Sequence, residues 1–253
     1  MAFLKGIKKK IFRKKRDPVP IREDDQFLVS YPKSGNTWAR FILANILKTE
    51  EDEVDFNNAV KFVPEYGVHD EVIRELKGSR ILKSHEPYRA EFKHVAYLVR
   101  DPRDVYVSYF HYLQKKLPEG TTFSQFLRKS DIHPCRWHEH VASWLDKPGV
   151  HVFRYEEMIE NTYPEVSRLV KTLSMSANEK KIREAISASS VDQMKRIEKE
   201  KGRPFKNEKD RENASTFVRK GTKGDWKNHF SEEDLLYLRE EAGVVAERVG
   251  YKL

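Results

Sequence analysis

Residues 27–38 read FLVSYPKSGNTW, and this stretch constrains the fold more than any other. A short apolar run over residues 27–31 stops at Pro32. Lys33, Ser34 and Gly35 then read as a turn, and Trp38, Phe41, Ile42, Asn45 and Ile46 recur at helical spacing. A strand that passes through a tight turn into a helix brings free backbone N–H groups and the positive helix end to one spot, where a phosphate can be held. The lysine precedes the only glycine, so the turn lacks the G-x-x-x-x-G-K-[ST] spacing of nucleoside triphosphate loops.

The pattern continues as strands alternating with helices. Further strands are predicted at residues 80–83, 94–99 and 150–154. Helices are predicted at 103–115, 133–145, 163–173, 179–186, 191–201 and 231–249. The expected fold is therefore α/β: one domain, a central and mainly parallel sheet, helices on both faces and a P-loop-like strand–loop–helix near the start. At 253 residues, with 14 Phe, 11 Tyr and 4 Trp, the chain has the bulk for one core and is not of the disordered class. Cys135 is the only cysteine, which excludes an internal disulfide and a cysteine-rich zinc site and suits a reducing, cytoplasmic setting. His133, His138 and His140 surround it, but the segment reads as an amphipathic helix around Trp137, Val141 and Leu145, and no metal is implied. No apolar run approaches the ~20 residues of a membrane span.

The formal net charge is +8 at pH 7, and the basic excess is concentrated in residues 1–16, MAFLKGIKKKIFRKKR, which hold no acidic residue. Residues 1–24 are expected to be a basic N-terminal segment and 25–253 the folded domain. The segment has two readings: an amphipathic stretch in peripheral contact with an anionic membrane, or a solvated, frayed terminus.

Other segments change the weight of the first turn. Residues 32–38, PKSGNTW, resemble the 5′-phosphosulfate loop of the cytosolic-type sulfotransferases. Residues 100–109, RDPRDVYVSY, resemble their 3′-phosphate motif, with an aspartate where an asparagine often follows the arginine. Residues 219–228, RKGTKGDWKN, resemble their C-terminal R-K-G-x-x-G-D-W-K signature. Residues 82–87, LKSHEP, are similar to the segment that holds the family's catalytic histidine. The motifs occur in the family's order, and the likeness runs from about residue 25 to the end of the chain.

The resemblance implies a sulfuryl donor, 3′-phosphoadenosine 5′-phosphosulfate, with an acceptor hydroxyl or amine as the receiving group. It assigns Lys33, Ser34, Gly35, Asn36 and Thr37 to the 5′ end of the donor. Arg100, Ser108, Arg219, Lys220 and Gly221 fall to its 3′-phosphate, and Trp38, Tyr155, Ser189 and Val191 to its adenine. These types suit a donor that is anionic at two ends, since arginine offers forked donors and serine a short hydroxyl. His85 is the implied general base, at the C-terminal end of a predicted parallel strand where α/β sheets place chemistry. Lys33 would stabilise the leaving phosphate and Lys83 the sulfonate oxygens, while Ser108 would restrain Lys33 until an acceptor arrives.

Two other function classes compete. A P-loop kinase of a small alcohol or nucleoside should carry a Lys-Ser/Thr pair after the glycine, where Asn36 and Thr37 stand. A non-enzymatic binder of anionic surfaces would leave the His85 and Arg219 segments unexplained. The acceptor is expected to be a small molecule, a lipid alcohol or a glycan, not a nucleic acid. Its pocket should be built from residues 56–69, 88–92, 112–123 and 202–215, with Tyr66, Tyr88, Tyr112 and Phe123 as candidate walls. The family's dimer segment, K-x-x-x-T-V-x-x-x-E, is not matched by residues 227–236, so that dimer is not expected to form through the same contact.

Overall fold

A computed structural model describes residues 19–129, 131–204, 221 and 223–253. The basic segment over residues 1–16 and the motif residues Arg219 and Lys220 lie outside them. Four strands, β1 (Gln26–Ser30), β2 (Ile81–Ser84), β3 (His94–Val99) and β4 (Val150–Arg154), lie parallel in the order β2-β1-β3-β4. The register pairs Leu28 with Lys83 on one side and with Ala96 on the other. Beyond β2, Glu65 forms an isolated parallel bridge with Lys83, which extends the sheet edge by one residue.

The described helices are α1 (Asn36–Leu47), α2 (Ala59–Phe62), α3 (Asp70–Glu75), α4 (Pro102–Leu113), α5 (Phe123–Leu127), α6 (Trp137–Trp144), α7 (Tyr155–Glu160), α8 (Thr162–Thr172), α9 (Glu179–Ala188), α10 (Val191–Lys201) and α11 (Glu232–Arg248). Side chains alternate across a strand, and here both faces are buried. Phe27, Val29, Val95 and Tyr97 pack on Tyr106 of α4, Trp137 and Trp144 of α6 and Leu238 of α11. Leu28, Ala96, Leu98 and Phe153 pack on Ile42 and Leu43 of α1, Leu169 of α8 and Ile182 of α9. Each large side chain buried this way contributes about 1.5–3 kcal/mol of transfer free energy. Among the described residues no helix is long and apolar enough to cross a membrane.

Most predicted elements fall within a few residues of the observed ones, and β3, β4 and α10 coincide with them. The helix predicted over residues 133–145 begins later, at Trp137. Arg136 is extended as its N-cap, and the Glu139 carboxylate accepts the Arg136 N–H at 2.8 Å. The segments expected to build the acceptor pocket at 56–69 and 112–123 hold the short α2, the end of α4 and the start of α5.

The strand order decides where a ligand can sit. The chain passes from β1 outward to β2, then returns across β1 to β3. The crossovers therefore diverge at the C-terminal ends of β1 and β3, which is where open α/β sheets leave a crevice. The turn after β1, Arg100 after β3 and His85 after β2 all open toward it.

Candidate active site

A cleft of ≈ 820 Å³ lies at these strand ends. Lys33, with φ 69°, and Gly35, with φ 96°, shape the turn into α1. Gly35 is required there: a Cβ would sit 2.4 Å from Cδ2 of Tyr155, inside any tolerable contact. Asn36 ties the first turn of α1 to the strand, since its Nδ2 donates to Ser30 Oγ at 3.1 Å. The first N–H groups of α1 have no partner inside the helix, so the turn presents them to an anion. Lys33, Gly35, Asn36, Thr37 and Trp38 all line the cleft. Ser34 is fully buried, does not line the cleft, and its Oγ has no partner among the described residues.

Arg100 joins this turn to the second half of the site. Its Nη1 donates to the Lys33 carbonyl oxygen at 3.2 Å, and its guanidinium lies 4.5 Å from the centroid of the Tyr155 ring. Asp104, in the first turn of α4, accepts the backbone N–H of Gly224 at 2.7 Å and of Trp226 at 3.0 Å. That carboxylate, 3.8 Å from Arg100 Nη2, thereby ties residues 224–226 to α4, and Gly221, Arg100 and Ser108 all line the cleft. The Arg103 guanidinium covers the Trp226 ring at 4.1 Å. Asp101 is the N-cap of α4, accepting the Arg103 N–H at 2.9 Å, which explains an acidic side chain after the arginine.

At the far end of the cleft, Trp38 meets Tyr155 edge to face at 6.0 Å, and Val191 and Met194 of α10 stand nearby in the lining. A Cβ on Gly221 would lie 2.6 Å from Val191 Cγ2, so this loop rests directly on the start of α10. Ser189 does not reach the cleft. It is fully buried and takes a hydrogen bond from Asn45 at 3.3 Å, whereas its neighbour Ser190 lines the cleft.

The opposite end holds His85, Lys83 and Glu65. His85 Nδ1 is 2.7 Å from the Ser30 carbonyl oxygen, which can only accept, so Nδ1 carries the proton and Nε2 the lone pair. Burial and then the Lys83 ammonium push the imidazole down to about 3, with Glu65 and the Ser30 bond pulling the other way. Lys83 is buried, and its Nζ meets Glu65 Oε2 at 2.6 Å. Burial lowers Lys83 and Glu65 opposes that shift. Burial alone would raise Glu65, but the charge and hydrogen bond of Lys83 hold it below the usual carboxylate value. Lys33 Nζ stands 4.4 Å from the centroid of the Tyr112 ring.

Of the candidate acceptor walls, Tyr66 and Tyr112 line the cleft, with Val68 beside them. Tyr88 instead packs edge to face on Trp144, and Phe123 on Phe110 and Phe230. Glu65 and Asp104 are among the residues of the site that the sequence did not single out.

The chain matches the model of the Sulfotransferase domain over residues 23–242. It is 31% identical over 235 residues to Sulfotransferase 1E1 of Bos taurus, covering 83% of this chain and 79% of that protein. It is 29% identical over 263 residues to 3-beta-hydroxysteroid sulfotransferase of Cavia porcellus, covering 94% and 91%. Among solved structures, the mouse sulfotransferase SULT7A1 complexed with PAP is similar at a TM-score of 0.65 and 25% identity, over 90% of this chain and 89% of that one. Retinol dehydratase in complex with androsterone and inactive cofactor PAP shares the fold, with a TM-score of 0.75 at 18% identity over 92% and 84% of the two chains.

Proposed function

The chain belongs to the sulfotransferase family, and from that premise we propose that His85 is the general base of an in-line sulfuryl transfer from 3′-phosphoadenosine 5′-phosphosulfate to a hydroxyl, or an amine, of a small acceptor. The observation that carries this reading is the 2.7 Å bond from His85 Nδ1 to the Ser30 carbonyl. It leaves Nε2 as the proton-accepting atom of a side chain that lines the same cleft as both anion cradles.

The residues present fit such a donor. The turn after β1 offers backbone N–H groups and Lys33 to the 5′ end. Arg100, Ser108 and the Gly221 loop that Asp104 anchors stand ready for a 3′-phosphate. Trp38, Tyr155 and Val191 supply apolar surface for a base.

Sulfuryl transfer resembles phosphoryl transfer in that positioning and charge stabilisation do most of the work. As the acceptor oxygen bonds to sulfur, the bond from sulfur to the 5′-phosphate oxygen breaks. Its electron pair leaves with 3′-phosphoadenosine 5′-phosphate, and the acceptor proton goes to His85 Nε2. Lys33 answers the charge that grows on the leaving phosphate, and Lys83 the sulfonate oxygens. An imidazole with so low a pKa is neutral and ready at working pH, but a weak base on its own. Glu65 and the Ser30 carbonyl both favour the imidazolium, so they support the proton once it has moved. Tyr66, Tyr112 and Val68 give the acceptor end an apolar border suited to a phenol, sterol or lipid alcohol.

The test is an acceptor screen with radiolabelled donor, paired with calorimetry. Transfer to a phenolic or alcoholic acceptor is expected, together with much tighter binding of 3′-phosphoadenosine 5′-phosphate than of adenosine 5′-phosphate. Equal affinity for the two nucleotides and no labelled product would defeat the reading.

A further inference from the structure

The pairing of β2 with β1 ends at Ser84, so the chain that carries His85 has left the sheet. Side chains of α6 hold it instead. His140 Nε2 lies 3.1 Å from the His85 carbonyl oxygen, and Trp144 Nε1 donates to the Glu86 carbonyl at 3.1 Å. The Tyr88 N–H donates to Ser143 Oγ, also at 3.1 Å. These residues lie on one face of α6, and together they grip residues 85–88 by the backbone.

His140 is the member whose chemistry is most narrowly set. It is fully buried and stacks on Tyr97 with ring centroids 5.8 Å apart. A carbonyl can only accept, so His140 Nε2 carries the proton. Nδ1 is then an acceptor and takes the Tyr97 hydroxyl at 2.8 Å. Burial lowers its pKa to about 4, against the pull of the backbone bonds, so both hydrogen bonds persist at neutral pH.

We propose that His140 is a positioning residue for His85: it fixes the His85 backbone from α6 while Ser30 fixes the ring from β1, so that Nε2 is held in register with the acceptor. This rests on the reading of His85 as the base. An error of ~1 Å in such a group can cost ~10²-fold in rate.

Two substitutions separate positioning from packing. Asparagine at this site keeps an acceptor for Tyr97 but is too short to reach the His85 carbonyl, whereas glutamine can place an N–H near the old Nε2. We expect His140→Asn to lower kcat by ~10²-fold, with acceptor KM and affinity for 3′-phosphoadenosine 5′-phosphate within a few-fold of the parent. His140→Gln should recover most of that loss. Nitrogen NMR of the nucleotide-bound parent should show His85 protonated at Nδ1 alone, and His140→Asn should give a mixture of tautomers. Ser143→Ala, which removes the acceptor for the Tyr88 N–H and the hydroxyl bond to the His140 carbonyl at 2.7 Å, should lower kcat several-fold with a smaller loss of melting temperature than His140→Asn. The proposal is overturned if both His140 variants lose rate equally and in step with stability, if both keep parental kcat, or if the His85 signals do not change. A His85→Ala variant assayed alongside tells the two readings apart. Retained turnover there removes the base and the positioning role with it, while lost turnover with an active His140→Asn removes the positioning role alone.

Discussion

Lys83 Nζ meets Glu65 Oε2 at 2.6 Å across a bridge between two residues that pair at the edge of the sheet. Paired residues of neighbouring strands project to the same face, so the contact follows from register and places a carboxylate beside the lysine proposed to meet the sulfonate. Glu65→Gln leaves a buried ammonium without its counter-charge, at a cost of about 1–3 kcal/mol. The variant should melt lower than the parent. It should also gain more from added 3′-phosphoadenosine 5′-phosphosulfate than from the product nucleotide, because only the former brings a new anion to Lys83. Thermal melts with each nucleotide check this, and equal shifts in parent and variant would count against Lys83 as the sulfonate contact.

Asp104 accepts two backbone N–H groups of the C-terminal loop, so its charge acts on the loop proposed to hold the 3′-phosphate without lining the cleft. Asp104→Asn turns one of those acceptors into a donor facing an N–H. We expect about tenfold weaker binding of 3′-phosphoadenosine 5′-phosphate, a difference of ~1.4 kcal/mol. Adenosine 5′-phosphate, which lacks the 3′ group, should bind the variant as it binds the parent. Calorimetric titration of both nucleotides decides the matter.

The parts of the site that could be read from sequence are those whose geometry is local. The turn from Pro32 to Trp38 combines a strand end, a positive-φ glycine and a helix start within a few residues, so its shape is written in adjacent side chains. His85 and Arg100 each follow a short apolar strand directly, and the strand order carries both to the crevice. Glu65 was hidden because its role depends on an edge bridge to a residue far along the chain. His140 looked like one of several histidines on an amphipathic helix, and only packing shows that both its ring nitrogens are taken. Ser189 and Ser190 are adjacent, and the turn into α10 decides which of them faces the cleft.

Acid should unfold the protein in a window set by its buried imidazoles. His85 and His140 have folded pKa values of about 3 and about 4, below the ~6.5 of an unfolded histidine. Between those values the unfolded chain binds more protons than the folded one, so stability falls as pH drops through 6.5 and continues to fall toward 4. Each such group costs about 1.4 kcal/mol per pH unit at most. Urea melts at pH 7.5 and pH 5 should show this loss, and His140→Gln should show less of it. By the same shift, the activity limb expected near neutrality from an ordinary histidine moves to acid. For the free enzyme, kcat/KM should be flat on His85 from about pH 5 to pH 8.

The most direct test is single-turnover transfer from radiolabelled donor to an acceptor, measured on the parent and on His85→Ala with nucleotide affinity and melting temperature taken from the same preparations. In the proposed site the two cradles, not His85, hold the ends of the donor, so affinity should stay within a few-fold of the parent. Transfer should fall by ~10²–10⁴-fold, as for a lost general base. Transfer that persists within a few-fold while stability drops would make His85 a packing residue, and the proton would have to leave the acceptor by another route.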